Sequence, residues 1–204
     1  MTCQITMMFG CRRSGQHAIH RWWLAHLPKD TYYVENVIHA SSLEPILAEK
    51  HTALICMEDR TAEQIADALT WIKPHFVHFV VRSIYNVVAS RMEKGTAGVL
   101  VNERFLEKWK FHAKNHNRIL YDRWFSDPRY RRDIERINGL EPNIDGDMDY
   151  VPAFNGGSSF DKRRVPGTVL NVLRRYDQVD RAALLNAVDE EAAQLNEAIF
   201  GWRL

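Results

Sequence analysis

The densest group of chemistry-bearing residues in this chain is Gly10-Cys11-Arg12-Arg13-Ser14-Gly15-Gln16-His17. Two arginines and a serine between glycines suit a tight loop that wraps a dense anion. The apolar run before it, Ile5 to Phe9, reads as a buried strand. After it, Ala18, Ile19, Trp22 and Trp23 share one helical face. In a strand–loop–helix unit, backbone N–H groups and the positive end of the helix dipole converge on one oxyanion. A loop made for nucleoside triphosphates ends Gly-Lys-Ser/Thr, with Lys on the phosphates and the hydroxyl on magnesium. Here Gln16 and His17 follow Gly15, so the loop reads as one that holds its anion without a metal.

A second group lies further along. The apolar run Phe76 to Val81 leads into Arg82, and Ser90 stands eight positions later within a helical pattern. Both groups occur in order, each at a strand-to-helix junction, and together they resemble the two signatures of the PAPS-dependent sulfotransferases. The likeness covers roughly the first half of the chain well and the rest in patches. It implies a three-layer P-loop-type α/β fold, with PAPS as co-substrate and PAP as product. Arg12, Arg13, Ser14, Gly15, Gln16 and His17 would then hold the 5′-phosphosulfate. Arg13, in place of the family's frequent Lys, would bridge the leaving phosphate and the transferring sulfonate; it keeps the charge but presents a fork rather than a point. Gln16 and His17 depart from the family's usual hydroxyl pair. Arg82 and Ser90 would take the 3′-phosphate. The late stretch 155–164, rich in Gly and basic residues, resembles the loop that closes over the nucleotide. Phe160 would flank the adenine there, and Ser158, Lys162, Arg163 or Arg164 would meet phosphate.

Transfer to a hydroxyl or amine also needs a base near the acceptor. Glu58, ending the strand before the Arg82 strand, matches the position where cytosolic relatives carry a catalytic His. Glu35 follows the first helix, where glycosaminoglycan-modifying relatives place a catalytic Glu, and His39 is a third candidate. Each residue also has a plainer role. Ser14 can cap a helix, Arg82 can pair with a carboxylate, and either glutamate can serve as partner to Arg12, Arg13 or Arg82. Residues 155–164 can be a solvated basic loop.

Other patterns point away from chemistry. Asp145, Asp147 and Asp149 alternate as in a calcium loop, but Gly146 is misplaced and the closing Glu is missing. His112 and His116 share a helix face without the Glu of a metalloprotease motif. Tyr121-Asp122 resembles the Tyr-Glu/Asp pair ending a later strand of the family, a structural role. Arg91 reads as a surface residue.

The elements that must position these groups follow from periodicity. Residues 3–9, 53–57 and 76–82 are continuously apolar, as strands covered on both faces are, and 32–38 is a further extended piece. Helical patterns at 17–26, 43–50 and 61–71 alternate with them, which predicts a parallel sheet with crossover helices. Gly10, Glu58 and Arg82 then fall at the carboxyl ends of strands, where such sheets bind ligands. Beyond Arg82 the chain reads as mainly helical. Ile84, Val87 and Val88 lie on one helix; Phe105, Leu106, Trp109, Ala113, His116 and Leu120 on a long one; Leu185, Val188, Ala192, Leu195 and Ile199 on a last one. Gly95 to Gly98 and 142–157 read as loops.

At 204 residues and 46% hydrophobic content, one domain spanning 1–204 is expected. The 27 basic and 26 acidic residues nearly cancel, which removes a global argument for nucleic acid. Three cysteines without metal-type spacing suit a reducing compartment. With no apolar run of membrane-spanning length and no secretory pattern, a cytoplasmic protein is expected. The acceptor would be a small molecule or a carbohydrate; the oligomeric state is not encoded legibly. Two other classes stay open: a kinase-like P-loop protein or nucleotide hydrolase without its Lys, and a non-catalytic nucleotide- or partner-binding module.

Overall fold

The computed structural model describes residues 4–36, 43–49, 51–93, 101–141 and 173–204. The apolar runs form strands β1 (Gln4–Gly10), β3 (Thr52–Glu58) and β4 (Phe76–Val81), with β2 (Tyr32–Glu35) as the shorter extended piece. A fifth strand, β5 (Arg118–Leu120), joins them in one parallel sheet of order β2-β3-β1-β4-β5. Parallel strands need long crossovers, which the helices provide. These are α1 (Gln16–Leu24), α2 (Glu44–Glu49) and α3 (Ala62–Ile72), then α4 (Ile84–Met92), α5 (Glu103–Lys114), α6 (Tyr121–Ser126) and α7 (Pro128–Ile137). A short 3-10 turn (Arg175–Gln178), α8 (Arg181–Asn186) and α9 (Glu190–Phe200) follow. The result is the expected α/β fold, a central parallel sheet flanked by helices.

Successive residues of β1 point to opposite faces, and both faces are covered. Met7 and Phe9 pack with Ile55, Met57, Phe79 and Val81 against Ile65 and Ala68 of α3 and against α4, α5 and α9. Met8 packs with Leu54, Cys56, Val80 and Ile119 against Ile19 and Trp23 of α1 and Trp124 of α6. Met7, Met8 and Phe9 are fully buried, each worth about 1.5–3 kcal/mol of apolar transfer. That makes β1 the rigid mount of the loop that follows it. Helix α3 starts on a capping box, Thr61 with Gln64, which fixes where the chain leaves β3.

Two expected helices differ. The long helix ends at Lys114, and Leu120 lies on β5, paired with Val81. Asn115 adopts extended backbone and stops the helix, so the apolar spacing beyond it belongs to a strand. Tyr121-Asp122 then follows β5 directly and opens α6. The last expected helix is two: Asp189 caps α9 by accepting from the Ala192 N–H, and its extended backbone separates α8 from α9. Among the described residues no helix is long and apolar enough to cross a membrane.

Candidate functional site

The register aligns Gly10 with both Glu58 and Val80, and Glu35 with Cys56. One edge of the sheet therefore collects the β1–α1 loop, both candidate glutamates and Arg82. At the loop, Gly10 leaves no room for a side chain. A Cβ there would lie 2.2 Å from Gln16 Oε1 and 2.9 Å from Ser14 Oγ. Gly15 has φ of 81°, in the left-handed region, and caps α1 without any side-chain bond. Ser14 is thus no helix cap. Its N–H closes a turn to the Cys11 carbonyl at 2.9 Å, so the Ser14 amide is not free for an anion. Its buried hydroxyl has no hydrogen-bond partner among the described residues, and the buried Gln16 amide lies beside Glu58, whose carboxylate it helps to hold ionised. The first amides of α1 lack intrahelical acceptors, as at every helix start. Unpartnered donors and a helix N-terminus converge at this point.

Arginines hold the loop from outside. Arg82 Nη1 donates to the Arg13 carbonyl at 3.3 Å, and Arg91 Nη2 donates to the Arg12 carbonyl at 3.2 Å. Arg91 also bonds Asp59 Oδ1 at 3.0 Å and lies over the Phe105 ring. Asp59 in turn accepts the Arg12 N–H at 2.9 Å, and its own N–H donates to the Gly10 carbonyl. These bonds fix the peptide planes of the loop, and hence the direction of its amides. Arg91 is therefore buried, not a surface residue: the loop carbonyls, Asp59 and Phe105 supply the partners that burying a charge requires. Arg13 sits at φ of 78°, rare for a non-glycine residue. Burial lowers its pKa, with the Glu58 charge opposing.

The carboxylates and histidines meet beside the loop. His17 lies between the two glutamates, Nδ1 3.0 Å from Glu35 Oε1 and Nε2 3.4 Å from Glu58 Oε1. Glu58 Oε2 is 3.5 Å from Arg12 Nε. Glu35 Oε1 also accepts from the Tyr33 hydroxyl, and His20 Nδ1 stands 3.7 Å from it. Burial pushes the Glu58 carboxyl up, but His17, then the Gln16 amide and Arg12, outweigh it and hold the group at about 2. The neighbouring His20 ring and the His17 hydrogen bond hold Glu35 below its usual range. Glu58, then Glu35, raise the His17 pKa against burial, whereas burial lowers that of His20.

Arg82 is buried, with its guanidinium 4.9 Å from the Tyr121 ring centre. Asp122 accepts from the Ser83 N–H at 2.8 Å and from the Asn86 side-chain Nδ2 at 3.0 Å, and the Arg82 charge acts on it against burial. The structural role expected of Tyr121-Asp122 is what these contacts describe. Ser90, fully buried in α4, accepts from Arg175 Nη1 at 2.9 Å, and the Arg175 N–H donates to Asn86 Oδ1. Arg82, Ser90 and Arg175 thus flank the two ends of α4, although Arg82 and Ser90 share no hydrogen bond.

The structure brings together Arg12, Arg13, Ser14, Gly15, Gln16, His17, Glu35 and Glu58, with Arg82 tied to the same loop. Ser158, Phe160, Lys162, Arg163, Arg164 and His39, with Asp145, Asp147 and Asp149, lie outside the described residues. His112 and His116 do not form a pair. His112 is buried against Cys11, and His116 is exposed beyond the helix end. Sequence reasoning missed Arg175, Asp59 and His20 as neighbours of the site. Arg174-Arg175 is visible as a basic pair, but only burial separates Arg175 from exposed Arg174, which pairs with Asp177.

No family model matches the chain, and no curated protein does. Among solved structures, the chain is similar to mouse sulfotransferase SULT7A1 complexed with PAP, at a TM-score of 0.58 and 12% identity. The alignment covers 95% of this chain and 88% of that one. At this identity the likeness concerns the fold, a sulfotransferase-like α/β arrangement.

Proposed function

We propose that the chain is a PAPS-dependent sulfotransferase that moves a sulfonate to a hydroxyl or amine of a small-molecule or carbohydrate acceptor. The observation that carries it is the β1–α1 loop, lysine-free, arginine-bearing and braced by Arg82 and Arg91 from α4 and the turn before it. The amides that open α1, the Ser14 hydroxyl and Arg13 would hold the 5′-phosphate and sulfonate. Arg82, Ser90 and Arg175 would hold the 3′-phosphate, with residues 155–164 closing the nucleotide site. In the transfer, the acceptor oxygen or nitrogen bonds to sulfur while the S–O bond to the 5′-phosphate breaks. Negative charge grows on that bridging oxygen, and Arg13 stabilises it there. The proton of the acceptor goes to Glu58, with Glu35 as the alternative base. A carboxylate held near 2 is a weak base. In a loose transition state the acceptor becomes acidic only late, when a weak base suffices.

Thermal unfolding in the presence of PAP or ADP, each with and without magnesium, tests this. A ligand at about 100 times its Kd adds about 2.7 kcal/mol, or about 5–10 °C for a chain of this size. PAP should give that shift without magnesium, and ADP, lacking the 3′-phosphate, a much smaller one. Equal shifts, or a strict need for magnesium, would favour a kinase-like protein and overturn the proposal.

A further inference from the structure

His17 and His20 are three residues apart on α1 and so share one face, and Glu35 ends the neighbouring strand. One candidate ligand atom from each lies within 4.8 Å of the other two. Glu35 Oε1 is 3.0 Å from His17 Nδ1 and 3.7 Å from His20 Nδ1. A tetrahedral zinc-class ion, with bonds of about 2.0–2.1 Å, holds its ligand atoms about 3.3 Å apart. The two separations from Glu35 fall on either side of that value. We infer that His17, His20 and Glu35 form a binding site for a divalent transition-metal cation of the zinc class, with a fourth coordination position left open.

Three features outside the ligand set support this. Glu58 Oε1 faces His17 Nε2, so a carboxylate can take the Nε2 proton's hydrogen bond and leave Nδ1 with its lone pair for the metal. Arg12 in turn holds Glu58 in place. The Tyr33 hydroxyl donates to the same Glu35 oxygen and lies 3.3 Å from His20 Nδ1, which restrains that carboxylate beside His20. His20 is 1% exposed, so its ring is held in place by the packing around it. Two imidazoles and one carboxylate suit zinc, cobalt or nickel, whereas calcium and magnesium take oxygen ligands. Ligation needs a lone pair on His17 Nδ1, so any proton on that atom would leave to solvent as the cation enters. The site needs neither PAPS nor an acceptor, and it would place a cation beside the anion loop.

Cobalt(II) titration of the tag-free, chelator-treated full chain reads this directly, because tetrahedral cobalt absorbs strongly in the visible range. The expected result is one equivalent bound, displaced by one equivalent of zinc. His20→Ala and Glu35→Gln should each weaken binding by about 100-fold or more, since three protein ligands leave none to spare. Glu58→Gln should weaken it by about 10- to 100-fold through the loss of its hold on His17. His116→Ala, at an exposed position, should bind like the parent. Circular dichroism confirms that each variant is folded, and Glu35→Gln keeps the test valid if the buried His20 position does not tolerate change. A titration with no tetrahedral signal up to millimolar cobalt overturns the inference. So does binding that survives both His20→Ala and Glu35→Gln. The PAP-dependent shift is measured separately without metal, so either proposal can fail alone.

Discussion

Substituting Gly15 by Ala confronts two features of the site at once. The residue holds φ of 81°, and a Cβ there would sit 2.3, 2.5 and 2.6 Å from Cε2, Cδ2 and Cζ of Tyr121. Those are ring atoms, not the end of a flexible chain. Tyr121 is itself buried, with Arg82 over its face and the Trp124 ring 5.8 Å away, so it has little room to withdraw. An L-residue in the left-handed region costs about 1–2 kcal/mol. Forcing an extra methyl into packed surroundings adds about 1–3 kcal/mol. Together they predict a loss of about 2–5 kcal/mol, or about 4–20 °C in Tm for a chain of this length. Gly139 supplies the control. Its φ is 63°, and a Cβ there meets nothing within 4 Å, so Gly139→Ala should cost only the backbone term, about 1–2 kcal/mol. Urea and thermal unfolding of the two variants, side by side, isolate the Tyr121 contact. If Gly15→Ala proves no more destabilising than Gly139→Ala, the close approach of Tyr121 to the loop is wrong.

Arg175→Ala should weaken PAP binding by about 10- to 100-fold, the value of a charge-assisted bond of about 1.5–3 kcal/mol, while Arg174→Ala leaves it near the parent. Isothermal titration of both separates them, and equal effects would remove Arg175 from the phosphate site. Stability should also fall as the pH drops from about 6.5 to 4. Burial holds His112 at about 4, so in that window the unfolded chain binds a proton that the folded chain refuses. The span of about 2.5 units corresponds to up to about 3 kcal/mol. Burial holds His78 at about 4 as well, so His112→Gln should remove about half of the pH dependence of urea unfolding over that window, and an unchanged slope would show that His112 is not a source of it.

The sheet was legible because β1, β3 and β4 are covered on both faces along most of their length and so carry runs of consecutive apolar residues, interrupted within the runs by Thr6 and His78. No tertiary knowledge is needed to see them. β5 was not, since three residues carry no period, and Leu120 fits the helical spacing of Phe105 and Trp109 equally well. What separates the two is Asn115, whose extended backbone ends α5 before that spacing can continue. The strand–loop–helix junction after β1 was legible for a similar local reason, its glycines and arginines being contiguous. Its bracing was not. Arg91 and Asp59 are 32 positions apart, and nothing in the local pattern of α4 distinguishes an arginine that reaches a loop carbonyl from one that reaches water. The same limit applies to His20. Its neighbours Ile19 and Trp23 are core residues, and only the arrival of Tyr33 and Glu35 from β2 turns a histidine on an apolar face into part of a polar cluster.

Backbone strain marks the same edge of the sheet. Arg13, Asn36 and Asp59 hold φ of 78°, 55° and 53°, and they follow β1, β2 and β3 in turn. Each such position costs on the order of 1–3 kcal/mol and persists only where the surroundings over-determine it. The surroundings here do so. Asn36 N–H donates to the Cys56 carbonyl, and Asn36 Oδ1 accepts the Glu58 N–H. Asp59 N–H donates to the Gly10 carbonyl, while its carboxylate takes both the Arg12 N–H and Arg91. Arg82 holds the carbonyl of Arg13 itself. Each bond runs from one strained turn to a neighbouring strand or turn, so the three cannot relax independently. Two carboxylates, an imidazole and several arginines are thereby held within a few ångströms of one another. For the proposed transfer this would place the charges before any ligand arrives and leave little reorganisation for the moment of reaction.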